Sequence, residues 1–471
     1  MFVGREQELK KLENAYKSSK GELFVIYGRR RIGKSMLVSH FGKDKHDFIK
    51  FEALENENTA AQIRHFSKTL AKYTKDPLLD SINFNKWDNV FTFITERLIL
   101  HRKSDHKLTL FFDEVQWMAS GRSELISIIK YYWDNHWKDN NVMLILCGSI
   151  ASFMVRKIIK SKALYGRITG EILLKGLLPN EAALILRDKR SPAEILKYML
   201  IFGGVPKYLE MINRSISFNL NINELCFSKD SILAKEMNKI FYSQFREPAL
   251  YKRIAMLLNE NNRSFGEIGK VLKVHSGGGL KSYLQNLEDA EIIKSYVPFD
   301  RDDSTKFRKY TLSDEYMIFY FKYVAPNLRI INESTSHQIF ERLVKNSFDL
   351  WLGFAFERFC IKHAGYIAEK LGFGNEMLNA APYFGREDNK FQIDLLFRRS
   401  DNIITLCEVK HYNREIETSI IPEVERKCKL IKIPRNYTLE KAIISLYGPD
   451  KSLLESGYFN YSLTLNDILR K

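Results

Sequence analysis

Residues 28–35 read GRRRIGKS, so Gly28, Gly33, Lys34 and Ser35 satisfy the spacing G-x-x-x-x-G-K-[ST]. Glycines at those two places let the backbone turn until successive N–H groups face one anion. The helical stretch SMLVSHFG that follows points its positive end the same way. A loop of this kind cradles the β- and γ-phosphates of a nucleotide. Lys34 adds a point charge, and Ser35 a hydroxyl ligand for Mg²⁺. Arg29, Arg30, Arg31 and Ile32 fill the variable loop positions and Met36 follows in the helix; they border the nucleotide without a catalytic task. The acidic half of such a site belongs at the end of a neighbouring apolar strand, where LTLFFDE supplies Asp113 and Glu114. Asp113 is placed to hold Mg²⁺ through water, and Glu114 to orient or deprotonate the attacking water. VMLILCGS ends in Ser149, either a hydrogen-bonding partner of the γ-phosphate or water, or a plain turn residue.

A second group of chemistry-bearing residues lies near the carboxyl terminus: Glu357 in a helical stretch, Asp394 in FQIDLLF, and Glu408 with Lys410 in LCEVKH. Residues i and i+2 of a strand share a face, so Glu408 and Lys410 project together, and hairpin pairing brings Asp394 beside them. Carboxylates on one face offer hard oxygens to Mg²⁺ or Mn²⁺, and an adjacent lysine positions water or offsets phosphate charge. The bland alternative is a surface hairpin with an ordinary ion pair. Apolar neighbours on both strands argue for a reason to keep a carboxylate there.

The elements that must position these residues follow from pattern. Helix is expected over 3–20, and buried strands at 23–27, 48–54, 108–114 and 142–149, alternating with helices, which indicates a three-layer α/β domain with a mainly parallel sheet. From about residue 176 the pattern is helical. Three helical stretches between 248 and 294, two of them joined by VHSGG, precede a hairpin whose strands IIKSYVPF and KYTLSD are separated by FDRDDSTKFRK. That order describes a winged helix-turn-helix, with Lys281, Ser282 and Gln285 facing a groove. Further on, a helix around WLGFAFERFCIKHAG precedes the hairpin that carries Asp394 and Glu408.

The chain has 471 residues, 73 Lys+Arg against 57 Asp+Glu and a net charge of +16. Its hydrophobic content of 45%, with 32 Phe and 23 Tyr, fills several cores and excludes a disordered chain. Residues 226–330 hold 17 basic against 13 acidic residues, so the excess does not single out that segment. A basic chain fits a polyanionic partner such as DNA. Cys147, Cys226, Cys360, Cys407 and Cys428 lie far apart, which argues against a disulfide framework or a cysteine zinc site and for a reducing, cytoplasmic setting. No apolar run approaches bilayer length and the first residues lack a signal-peptide pattern, so neither secretion nor membrane insertion is expected.

In order, FVGREQEL, YGRRRIGKS, LFFDE, LILCGS, LYGR at 164–167 and GGVP at 203–206 resemble the archaeal-type ATPases of the STAND branch of AAA+ proteins, over roughly residues 1–225. The resemblance implies that Phe2 to Arg5 fold over the adenine side and that Gly204-Val205-Pro206 bring a helical lid toward the nucleotide. It makes Arg167 the charge-stabilising arginine, within one subunit or across a homo-oligomer interface. Asp394, Glu408 and Lys410 resemble the D…E-x-K signature of the PD-(D/E)XK nuclease fold, with Glu357 as supporting helix carboxylate; Gln392-Ile393 replace the proline before the aspartate.

The expected architecture is multidomain: an α/β P-loop NTPase core (1–175), a helical lid (176–225), a winged helix-turn-helix (226–330) and an α/β restriction-endonuclease-like domain (331–471). The expected function is an ATPase controlling a metal-dependent DNA nuclease. The alternatives are an ATP-dependent switch or scaffold, and a DNA-binding regulator without cleavage.

Overall fold

The computed structural model describes residues 2–470 except 77–78, 80–81, 83, 102–104, 120–123, 275–277, 300–306, 335–337 and 386–390, and omits the side chain of Asn238. The chain divides into two compact units, Met1–Lys175 and Gly176–Lys471.

In the first unit, helix α1 (Glu6–Lys17) precedes five strands: β1 (Glu22–Tyr27), β2 (Phe48–Glu52), β3 (Leu108–Asp113), β4 (Val142–Gly148) and β5 (Gly170–Leu173). They form one sheet in the order β2-β3-β4-β1-β5, parallel throughout. Every residue of β3 and β4 is buried, on both faces of the pleat. That is why these strands read as unbroken apolar runs: a parallel sheet is covered on both sides. Phe51 stacks on Phe66 at 3.5 Å and meets Phe112 edge-on at 5.5 Å, locking β2, β3 and the helix Thr59–Thr74 into one core. Helix α2 (Lys34–Gly42) begins where the loop after β1 ends, so the loop and the last residues of β3 and β4 meet at the carboxyl edge of the sheet, where open α/β sheets bind ligands.

The second unit starts with helices, among them Pro192–Phe202 and Pro206–Glu210. The helices Pro248–Glu260, Phe265–Leu272 and Gly278–Asp289 are then followed by β7 (Ile293–Tyr296) and β8 (Lys309–Leu312). With the two-residue β6 (Arg263–Ser264) these make an antiparallel sheet in the order β6-β8-β7. Most of the VHSGG joint and of the charged segment between β7 and β8 lies outside the described residues. The long helix Ile339–Lys362 packs on a mixed sheet, β9 (Met377–Gly385), β10 (Phe391–Arg399), β11 (Ile403–Lys410), β12 (Thr438–Ser445) and β13 (Tyr461–Thr464), in the order β13-β12-β11-β10-β9. β9, β10 and β11 run antiparallel, whereas β11, β12 and β13 run parallel. The expected hairpin is thus the middle of a larger sheet.

All five cysteines are free. Among the described residues no helix is long and apolar enough to cross a membrane.

The turn out of β1 depends on a missing side chain. Gly28 has φ +152°, and a Cβ there would sit 2.3 Å from the carbonyl oxygen of Leu174. Gly28→Ala is therefore expected to destabilise the first unit by about 2 kcal/mol or more. Calorimetry on the two proteins checks this, and an unchanged thermal midpoint contradicts it.

Candidate functional site

The loop after β1 closes around its own backbone. Lys34 is buried and its Nζ donates to the carbonyls of Gly28 (3.1 Å) and Arg29 (3.0 Å), filling the hollow that the loop encloses. Arg31 (φ 70°) and Gly33 (φ 94°) take left-handed conformations that turn the chain into α2. Arg29 and Ile32 are buried, whereas Arg30 and Met36 are exposed. Arg5, itself buried, reaches the loop from the start of α1, its guanidinium donating to the carbonyls of Ile32 (3.2 Å) and Lys175 (2.6 Å). It buttresses the loop from behind. Phe2 stacks on His40 of α2 at 3.9 Å.

Ser35 donates its hydroxyl to Asp113 Oδ1 at 3.0 Å, joining the start of α2 to the end of β3. Lys50 of β2 approaches the other oxygen, Oδ2, at 3.1 Å. Burial alone would lower Lys50, but Glu52 and Asp113 hold its proton on, so its pKa is raised. Cys147, buried at the end of β4, has its thiol pKa pushed well up by burial, with Asp113 beside it. Ser35 and Asp113 together are hard oxygens that fit a divalent cation.

Glu114 stands in a left-handed conformation at φ 56°. Its Oε2 accepts from the Ser149 N–H (3.0 Å), the Ser149 hydroxyl (2.7 Å) and the Gln116 amide. Ser149 thus positions a carboxylate. Among the described residues Gln116 Oε1 is buried with no hydrogen-bond partner, and a Cβ on Gly148 would approach it to 2.5 Å. Arg167 makes a bidentate pair with Asp134 at 2.6 and 2.7 Å, which holds the Asp134 carboxyl down at about 2. Pro206, in the second unit, opens a helix after Gly204, whose carbonyl accepts from Leu177 N–H at 2.7 Å.

In the mixed sheet, Asp394 lies at a register irregularity of β10, one residue past the Leu395–Cys407 pair, and so beside Glu408. Such a bulge re-aims a side chain. Asp394 Oδ2 accepts from Val409 N–H at 3.0 Å. Glu408 is fully buried, and both its oxygens are taken by Lys427 Nζ at 2.9 and 2.7 Å, with Lys410 Nζ at 2.7 Å from Oε1. Lys427, on the helix Ile421–Leu430, also reaches Glu423 at 3.2 Å. Glu357 is 3.4 Å from the Gln392 amide, and burial raises its carboxyl. Burial, Glu408 and Glu357 push the Asp394 carboxyl up to about 7. Lys410 and Lys427 would fall on burial, but Glu408 more than offsets this and both are raised. Among the described residues no group of three His, Cys, Asp or Glu side chains is arranged to hold a metal ion. The Glu408 carboxylate is met by two lysines in this arrangement.

On the helix Gly278–Asp289, Lys281 and Gln285 are exposed and Ser282 is half-buried, with Gln285 donating to Asp289 at 2.9 Å. No motif in the sequence marks Lys50, Gln116 or Lys427. Gln116, two residues past Glu114, carried the nearest thing to a signal.

A parallel sheet in this order, with a glycine-lined phosphate loop after β1 and an acidic end to β3, defines a P-loop ATPase core. Residues 2–212 match the family described as an ATPase domain predominantly from Archaea. Residues 320–421 match a family described as "Archaea bacterial proteins of unknown function". An uncharacterized protein of Methanocaldococcus jannaschii is 30% identical over 361 residues, 76% of this chain and 76% of its own length. An uncharacterized ATP-binding protein of the same organism is 47% identical over 45 residues, 10% of this chain and 76% of its own. The chain belongs to the archaeal P-loop ATPases. Among solved structures, a Walker-type ATPase of Pyrococcus abyssi is similar at TM-score 0.49 and 18% identity, covering 68% of this chain and 96% of that one.

The raised Asp394 carboxyl has a consequence for stability. Its protonated form is favoured in the folded state, so the stability it contributes is complete below the ordinary aspartate value of 3.8 and is lost as pH rises through about 7. Asp394→Asn keeps the acceptor for Val409 and removes the charge. The thermal midpoint of that variant should gain on the wild type between pH 4 and about 7 and hold the gain above; a difference flat with pH contradicts the assignment.

Proposed function

We propose that the chain hydrolyses ATP at the loop after β1 and that its nucleotide state controls a phosphodiester-processing site in its carboxyl-terminal sheet. The observation that carries the first half is the 3.0 Å contact between Ser35 Oγ and Asp113 Oδ1, beside a Glu114 carboxylate fixed by Ser149. The loop N–H groups receive the β- and γ-phosphates, and Lys34 leaves the carbonyls of Gly28 and Arg29 for them. Ser35 and Asp113 would hold Mg²⁺, which would supply positive charge against the phosphates. Ser149 and Gln116 hold Glu114 by Oε2, and its other oxygen, Oε1, takes the proton of the attacking water. Arg5 keeps the loop in shape and Phe2 borders the adenine side. Arg167 contributes its charge to the transferring phosphoryl group once its pair with Asp134 opens.

For the second half, the reading is a restriction-endonuclease-like domain (331–471), supported by the meeting of Asp394, Glu408 and Lys410 at one end of β10 and β11 with Glu357 nearby. Residues 226–330, read as a winged helix, serve as DNA reader or internal coupling element. Lys427 favours a second reading. With both oxygens of Glu408 paired, the sheet domain binds nucleic acid or a partner without cutting it, and the protein is an ATP-dependent switch.

Lys34→Ala and Glu114→Gln should each lower the turnover of ATP at least about a hundredfold; turnover at the wild-type rate in either variant removes the site assignment. Cleavage separates the two readings. The nuclease reading expects wild-type protein to cut DNA with Mg²⁺ or Mn²⁺, and Glu408→Ala and Lys410→Ala to abolish it. Intact plasmid, linear, single-stranded and branched DNA with and without ATP leaves the switch.

A further inference from the structure

The second unit contains a cavity of about 480 Å³ bordered by the long helix Ile339–Lys362, the strands β7 and β8, and β9. That size is in the range of small-molecule sites. Its lining is chemically divided. One part is aromatic, with Phe354 and Phe384 about half exposed and Trp351 behind them. The other part is cationic, formed by Lys294, Arg358 and Lys362.

Arg358 is incompletely matched, whereas Lys362 also donates to the Ser313 carbonyl at 3.2 Å. Among the described residues Arg358 Nη2 is buried with no hydrogen-bond partner, and its guanidinium lies 5.9 Å from the Trp351 ring. Lys362 pairs with Glu315 Oε2 at 2.7 Å, which leaves Glu315 Oε1 buried and unpartnered. Burial and the neighbouring Lys362 push the Lys294 ammonium down to about 8. Two further carboxylates border the cavity. Glu260 is mostly exposed and 3.6 Å from Arg263, and Glu357 meets Gln392 at the end nearest β10. A buried guanidinium donor without an acceptor is costly to keep. Its planar fork matches phosphate oxygens, and an aromatic wall beside it matches the face of a base.

We propose that this cavity binds one nucleotide unit, its phosphate received by Arg358, Lys294 and Lys362 and its base lying against Phe354 and Phe384. The unit is either a free nucleotide or the terminal residue of a nucleic-acid strand. Binding here does not depend on the nuclease-like reading, because it is measured without cleavage.

The test is calorimetric titration of the full-length Lys34→Ala protein, in which the phosphate loop is weakened, with a chelator present. The ligands are thymidine 5′-monophosphate and a 5′-phosphorylated oligothymidylate. Saturable binding of at least one is expected, weakened tenfold or more by Lys294→Gln and by Phe354→Ala. Phe354 is exposed, so its replacement tests the aromatic wall even where Lys294→Gln lowers the thermal midpoint. Tighter binding of the oligomer assigns the cavity to a strand end; equal binding of the monophosphate assigns it to a free nucleotide. No saturable binding of either ligand, or binding that both substitutions leave unchanged, overturns the proposal.

Discussion

The buried carboxylate of Asp113 is the joint on which the first unit's site is assembled. It ends β3, takes the Ser35 hydroxyl from the phosphate loop, and meets Lys50 from β2. Its backbone carbonyl accepts from Ala53 at 3.1 Å, so the same residue also anchors the chain leaving β2. A charge this deep is tolerated only when paired and hydrogen-bonded. The pairing satisfies Asp113 and fixes the spacing of the three segments that surround the phosphate hollow. Glu114, the next residue, is turned away from the strand by its left-handed backbone and secured on Ser149. Adjacent acids therefore do different things because the backbone sends them in different directions.

The carboxyl-terminal sheet solves a similar problem with lysines. Glu408 is fully buried on β11, and Lys427 and Lys410 meet it from a helix and from its own strand. Among the described residues no lysine forms an ion pair with Asp394, whose carboxyl is raised by burial, Glu408 and Glu357. One carboxylate is paired with two lysines, whereas burial and the acidic neighbours raise the other. Removing Lys427 would leave Glu408 with Lys410, 2.7 Å from Oε1.

The strands β1, β3 and β4 were legible because a sheet covered on both faces writes them as continuous apolar runs. The phosphate loop was legible because glycine spacing is a local signal. β9 and β12 were not. The first four residues of β9 are at most half-buried, and β12 opens with polar Thr438, Glu440 and Lys441 before its buried half. Lys427 sits in IPEVERKCKL among charged neighbours, and reads as part of a solvated helix face until the fold turns it onto Glu408. Lys50 in FIKFE is hidden for the same reason, since its partner Asp113 becomes a neighbour only through the pairing of β2 with β3. The pairing of Arg167 with Asp134 arises in the same way, from a contact that no local pattern encodes.

A crystal structure of the protein with Mg²⁺ and a non-hydrolysable ATP analogue tests the central claim most directly. In that structure the β- and γ-phosphates should lie inside the loop 28–33, with Lys34 Nζ moved from the Gly28 and Arg29 carbonyls onto them and the cation held by Ser35 Oγ and Asp113. Phosphates bound elsewhere, or a cation that touches neither Ser35 nor Asp113, would contradict it.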